Sequence, residues 1–178
     1  MSRLKIPVGP EDHIQGDPYA PCTLVEYGDY ECPHCGQAYP IVKRVQKHFG
    51  KRLRFVFRNF PLTQSHSHAE MAAEAAEFAG TQGKFWEMHD LIFENQDRLE
   101  LQLVLELGEK LGFYPAALDE SLESHEFVER VRADFMGGVR SGVNGTPTFF
   151  INGERHDGPF DYDRLVEAIE AALTSSGH

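Results

Sequence analysis

The sequence predicts an α/β fold: a mixed sheet built from a β-α-β unit near the N-terminus and a β-β-α unit near the C-terminus, with a helical insertion between them. Three observations carry this. An apolar run over residues 23–27 leads into a segment of helical period and then into a second dense run over residues 53–60. Across residues 65–138 apolar residues recur only at helical spacings. Strand character then returns on both sides of Asn152-Gly153, the dipeptide most favoured in a two-residue hairpin turn.

Residues 1–21 are rich in Pro and Gly and read as an extended lead-in. Residues 23–27 form the first core strand. The helix after it carries Ala38, Ile41, Val42, Val45 and Phe49 on one face and stops at Gly50, with Pro40 expected to bend it. Residues 53–60 suit a buried strand parallel to the first, and Pro61 ends it. The insertion shows the stripes Met71/Ala75/Phe78/Ala79, Phe85/Met88/Ile92 and Leu101/Val104/Leu105/Leu111, the last closed by Gly112. Leu118 and Leu122 indicate a short helix after Pro115. Ser124 is placed to cap a fifth, facing inward through Val128, Val131 and Phe135 and ending at Gly137-Gly138. Residues 148–151 and 154–157 make an antiparallel hairpin, and Asp161 can cap a final helix with the face Leu165, Ile169, Ala172 and Leu173. The resulting units are 1–62 with 139–178, lead-in included, and the insertion 63–138.

Composition narrows the function. The chain has 178 residues, one domain by length, and 41% apolar residues suffice for a substantial core. Lys+Arg 17 against Asp+Glu 28 leaves a net charge of −11, which disfavours nucleic acid or an anionic membrane surface as partner. No run reaches the roughly 18 apolar residues of a membrane helix, so no membrane insertion is expected. The three cysteines cannot all pair, which points to a reducing compartment or a buried thiol, and Cys22 reads as structural. The first residues show no apolar signal core or cleavage site, so the expected setting is cytoplasmic; a chain trimmed of its signal would read the same and be periplasmic.

The chemistry concentrates in Tyr27-Gly28-Asp29-Tyr30-Glu31-Cys32-Pro33-His34-Cys35, where the first strand delivers two cysteines into a helix start. Two intervening residues allow a disulfide only if the backbone turns, and a helix start both turns it and aims unpaired N–H groups at the first sulfur. The partial positive charge there favours thiolate over thiol. Pro33 fits the first helical position, and His34 adds a group that can be cationic near neutral pH. Half of a structural zinc site is the competing reading, but it needs a second Cys or Cys/His pair at suitable spacing, which the chain does not offer. His66 and His68 also suggest a metal; two apart on a helix they would diverge by about 200°, so they read as surface or capping residues. Neither a metal nor a cofactor is expected. Trp86 reads as a core or groove aromatic.

The element order, with Cys32-Pro33-His34-Cys35 after the first strand and Gly145-Thr146-Pro147-Thr148 before the hairpin, resembles the thioredoxin fold. More narrowly it resembles the DsbA family of bacterial disulfide-bond formation proteins, which carry a helical insertion at this point and favour the Cys-Pro-His-Cys motif. Residues 24–32 and 145–153 also look like short, standalone or transporter-fused members of that family. Two motifs about 110 residues apart make the likeness more specific than either alone, and the missing signal sets the chain apart from exported members.

The resemblance implies a thioredoxin-like mixed sheet and a thiol-disulfide oxidoreductase. Cys32 would be the exposed nucleophile and Cys35 the resolving thiol, acting on protein thiols and disulfides with a recycling partner. It implies that Pro147 follows a cis peptide bond beside the cysteines, with the Thr146 backbone offered to a substrate strand. Glu26, six residues before Cys32, would be the buried acid that thioredoxin-like proteins often carry beneath the pair, with a raised pKa suited to accepting the Cys35 proton; a strand-edge surface glutamate is the alternative. Oxidation of substrates is the expected direction, with reductase or redox sensor in a reducing cytosol as the alternative. A disulfide isomerase fits less well, because no dimerisation segment is visible and a monomer is expected; a non-catalytic metal-binding or docking module is the other rival.

Overall fold

A computed structural model of the protein describes residues 2–176. Five strands, β1 (His13–Gly16), β2 (Cys22–Gly28), β3 (Leu53–Asn59), β4 (Thr148–Ile151) and β5 (Glu154–Arg155), form one sheet in the order β1-β3-β2-β4-β5. β2 and β3 are parallel and joined through α1 (Pro33–Phe49); the other pairs are antiparallel. Both central strands are buried on both faces, which explains their near-continuous apolar runs. On one face Leu24, Phe55, Phe57 and Phe149 pack with Val42 and Val45 of α1 and with Leu165 and Ile169 of α7 (Tyr162–Ser176). On the other, Val25, Tyr27, Val56 and Phe150 meet Phe60 and Val143.

The lead-in differs from its expected form. Its chain starts beside β5, where Leu4 N–H donates to Gly153 O at 2.8 Å, crosses the second face of the sheet, and finishes as β1 on the opposite edge. Buried Arg58 holds the crossing, donating to Asp12 at 2.8 Å, to the Ile6 carbonyl at 2.9 Å and to the Tyr27 hydroxyl at 2.9 Å. His13-Ile14-Gln15-Gly16 has one aliphatic residue and no alternation, so its strand identity comes from pairing with β3 rather than from its own pattern.

Between β3 and β4 lie α2 (Ala69–Thr81), α3 (Phe85–Glu94), α4 (Leu101–Lys110), α5 (Pro115–Glu123) and α6 (Val128–Arg140). Three details depart from the predicted helices. Gly137 and Gly138 do not end α6, which continues to Arg140, across the 138/139 boundary; they sit inside it because a Cβ on Gly138 would lie 2.7 Å from the Phe60 ring. Ser124 closes α5 rather than opening α6, which begins after Phe127. In α4 the buried face is Leu103, Val104 and Leu107, and Leu101 is exposed. The hairpin turns at Asn152 and Gly153, both with positive φ as a tight mirror-image turn requires, but β5 stops at Arg155, short of Asp157. Among the described residues no helix is long and apolar enough to cross a membrane.

Candidate active site

β2 is the central strand and ends at Gly28, so residues 29–32 emerge at the carboxyl end of the sheet and turn directly into α1. Cys32 is the residue capping α1, with extended backbone (φ −69°, ψ 124°), and Pro33 occupies the first turn, where a missing N–H costs nothing. Cys32 and Cys35 are free thiols. Both are largely covered, Cys32 at 4% exposure and Cys35 at 0%, so Cys32 is less open than the sequence suggested while still the only one of the pair with access to solvent.

The two sulfurs sit in opposed environments. Cys32 is held down to about 5. The largest cause is the Cys35 thiol, which donates to the Cys32 sulfur; burial opposes this, and the Thr146 side chain and the backbone N–H groups of Cys35 and His34 add to it. Those two amides are the unpaired donors of the helix start. The Thr146 hydroxyl is buried with no other hydrogen-bond partner, and the Thr146 carbonyl accepts from the Cys32 thiol at 3.6 Å. Cys35 moves the other way, well above an ordinary thiol, through burial first, then its bond to Cys32 and the charge of Glu26. The Asp29 N–H donates to its sulfur at 3.4 Å.

Glu26 lies in the middle of β2, paired across to Phe57 and Phe149, with 3% exposure. Burial, then the charge of Cys32, pushes its carboxyl up to about 8. Gly28 makes the room, since a Cβ there would lie 2.8 Å from Glu26 Oε2 and 2.5 Å from the Phe57 ring. The Thr146–Pro147 peptide is cis and immediately precedes β4, beside Cys32. His34 is exposed, and what it brings to Cys32 is its backbone N–H rather than its ring.

Two further residues hold the loop and were not singled out from the sequence. Asp29, fully buried, accepts from the N–H groups of Glu31 at 2.7 Å, Cys32 at 3.2 Å and Leu62 at 2.9 Å. An acidic residue three before a helix-capping Cys was its available signal. Gln96, from the short turn after α3, donates to the Tyr30 carbonyl at 2.9 Å and the Cys32 carbonyl at 2.8 Å. Gly36 leaves it space, because a Cβ there would collide with the Gln96 side chain. Nothing local to residue 96 announces this contact. His66 and His68 precede α2 instead of lying on a helix, and they pair with Asp29 at 2.8 Å and Glu31 at 2.9 Å. Among the described residues no group of three or more His, Cys, Asp or Glu is arranged to hold a metal ion. Cys22 is fully buried at the start of β2, and burial pushes its thiol up to about 11.

Such a fold, with a dithiol at the start of the helix after the central strand and a helical insertion after β3, is a thioredoxin-like one. The chain matches the family model described as Thioredoxin over residues 9–171 and belongs to that family. Among solved structures, oxidised BdbD from Bacillus subtilis is 29% identical, with a TM-score of 0.83 over 92% of this chain and 93% of that one. A thioredoxin-like oxidoreductase from Silicibacter pomeroyi is 25% identical, with a TM-score of 0.79 over 93% and 94%. Among curated proteins, the Na(+)/H(+) antiporter NhaA 1 of Salinispora arenicola is 45% identical over 174 residues, 97% of this chain and 26% of that protein. The chain spans about a quarter of the length of the curated relatives it matches.

Proposed function

We propose that this protein oxidises the thiols of protein substrates, passing on the Cys32–Cys35 disulfide. The observation that carries the direction is the opposed pair of sulfurs: a thiolate stabilised at Cys32 stabilises the dithiol form, which makes the disulfide form an oxidant. In this reading a substrate thiolate attacks Cys32, opening the enzyme disulfide, and Cys35 leaves and takes a proton. A second substrate thiolate then attacks the substrate sulfur, forming its disulfide and expelling Cys32 as the thiolate, a good leaving group when its pKa is low. Glu26, neutral up to about pH 8, supplies the Cys35 proton and accepts it when the enzyme disulfide re-forms. The Thr146 carbonyl beside Cys32, at the head of β4, supports a site where an extended substrate segment pairs with the backbone next to Pro147.

Protein thiols are the proposed substrates, a separate disulfide donor recycles the enzyme, and the working form is a monomer. An oxidising couple needs an oxidising compartment to remain charged, which favours the periplasmic over the cytoplasmic setting. The 45% identity to part of antiporter-named proteins supports a second reading, a redox-sensing unit joined to a transport protein. Equilibration of the purified protein with glutathione tests the direction. A potential well above the cytosolic glutathione poise of about −220 to −260 mV is expected, and one below it would leave the reductase or sensor reading in front.

A further inference from the structure

We propose that His66, anchored on Asp29, is the ionisable residue set against the Cys32 thiolate, a positioning residue whose protonation state tunes the Cys32–Cys35 couple. The inference rests on that pair being the redox centre. The geometry runs through one buried carboxylate. Asp29 Oδ2 takes the His66 Nδ1 hydrogen bond at 2.8 Å, Asp29 Oδ1 takes the Cys32 N–H, and the Asp29 N–H reaches the Cys35 sulfur at 3.4 Å. The carboxylate that fixes the loop at Cys32 therefore also holds His66, and a protonated His66 interacts through its charge with the Cys32 thiolate.

The groups facing His66 are Asp29 and Glu31 from the β2–α1 connection and Cys32 at the start of α1, while the neighbouring His68 is engaged by Glu31 at 2.9 Å. Burial works against protonation of His66, but its hydrogen bond to Asp29, and then the charges of Asp29, Cys32 and Glu31, raise it above an ordinary imidazole. Because Cys32 contributes, the reduced enzyme holds the His66 proton more tightly than the disulfide form, and by linkage the protonated imidazole favours the reduced enzyme.

Proton bookkeeping fits the exchange. When a substrate dithiol reduces the enzyme, two substrate S–H bonds are lost and a substrate S–S bond forms, while the Cys32–Cys35 bond opens with the two electrons. One proton stays on Cys35, Cys32 remains a thiolate, and the other proton goes to solvent or in part to His66.

The test is the glutathione equilibrium constant of the wild type and of His66→Gln, which retains a donor for Asp29 and cannot titrate, with His68→Gln as a control. A charge of this kind moves a neighbouring acid by about one pH unit or more. His66→Gln should therefore be a weaker oxidant by about tenfold near pH 6, equivalent to about 30 mV, with the difference closing by about pH 9, and His68→Gln should match the wild type. Equal constants for wild type and His66→Gln at every pH would overturn the proposal, and so would a deficit that persists undiminished to about pH 9, which would mark a purely structural role. Wild type that fails to equilibrate with glutathione at all would overturn the redox reading beneath it.

Discussion

Replacing Glu26 by Gln should expose a pH dependence of stability that the wild type conceals. The folded chain binds the Glu26 proton more tightly than the unfolded chain, so this group's contribution is complete below about pH 4.5 and is lost as the pH rises through about 8. The interval is worth up to about 5 kcal/mol at about 1.4 kcal/mol per pH unit, with no discount for solvent because the group is 3% exposed. Cys32 works in the opposite sense. Its pKa is depressed from 9.0 to about 5, so the stability it gives the reduced protein is present above about pH 9 and is lost as the pH falls through about 5. In the reduced wild type the two slopes largely cancel between about pH 5 and 8. In reduced Glu26→Gln only the rising Cys32 slope remains, whereas the disulfide form of the wild type keeps only the falling Glu26 slope. Guanidinium unfolding of reduced wild type and Glu26→Gln from about pH 4 to 9 reads the difference directly. It should grow in favour of the variant by about 1 kcal/mol or more per unit through the middle of that range. Parallel curves would refute a raised Glu26 pKa and, with it, Glu26 as the proton carrier for Cys35.

Cys35→Ser should accumulate mixed disulfides with client proteins, while Cys32→Ser should show only background exchange, because the resolving sulfur is fully covered; non-reducing gels decide this, and equal trapping would contradict the order of attack. His34→Pro removes the backbone N–H that reaches Cys32, whereas His34→Ala removes only the ring. Loss of one hydrogen bond to a thiolate, about 1.5–3 kcal/mol, should raise the Cys32 pKa by about one to two units in His34→Pro, by much less in His34→Ala, and make the Pro variant the weaker oxidant. Thiolate absorbance against pH measures it, and equal shifts in the two variants would return the effect to the imidazole. Cys22→Ala should keep full exchange activity and lose about 1–2 kcal/mol of stability from the small cavity left in the core; loss of redox cycling in a folded Cys22→Ala would assign the third thiol a role.

What could be read from the sequence were features whose cause is local. Residues 23–27 and 53–60 spell strands because both faces are buried, Asn152-Gly153 spells its turn through backbone freedom, and Cys32 through Cys35 announce a helix start by Pro33 and spacing. What escaped depends on distant partners. β1 is a strand because β3 offers an open edge to it, and Gly137-Gly138 lie inside a helix because Ile6 packs against the first and Phe60 against the second. Gln96 clasps the redox loop across 64 residues of sequence, so only Gly36, small where Gln96 must pass, carries any trace of it in the motif.

The asymmetry between two cysteines three residues apart follows from where the chain turns. Cys32 stands at the end of the strand-to-helix loop, before the first helical hydrogen bond is made, so the free amides of His34 and Cys35 and the Thr146 side chain can all serve its negative charge. Cys35 lies one turn further in, its sulfur fully enclosed by the core and set near Glu26, so the same helix buries it as a thiol and makes it a donor to Cys32. Each member therefore strengthens the other's state: a protonated Cys35 stabilises the Cys32 thiolate, and that charge in turn raises Cys35 and Glu26. Removing any one of the three should move the titration of the other two, and the couple is better described as a three-site proton system than as two thiols with an adjoining acid.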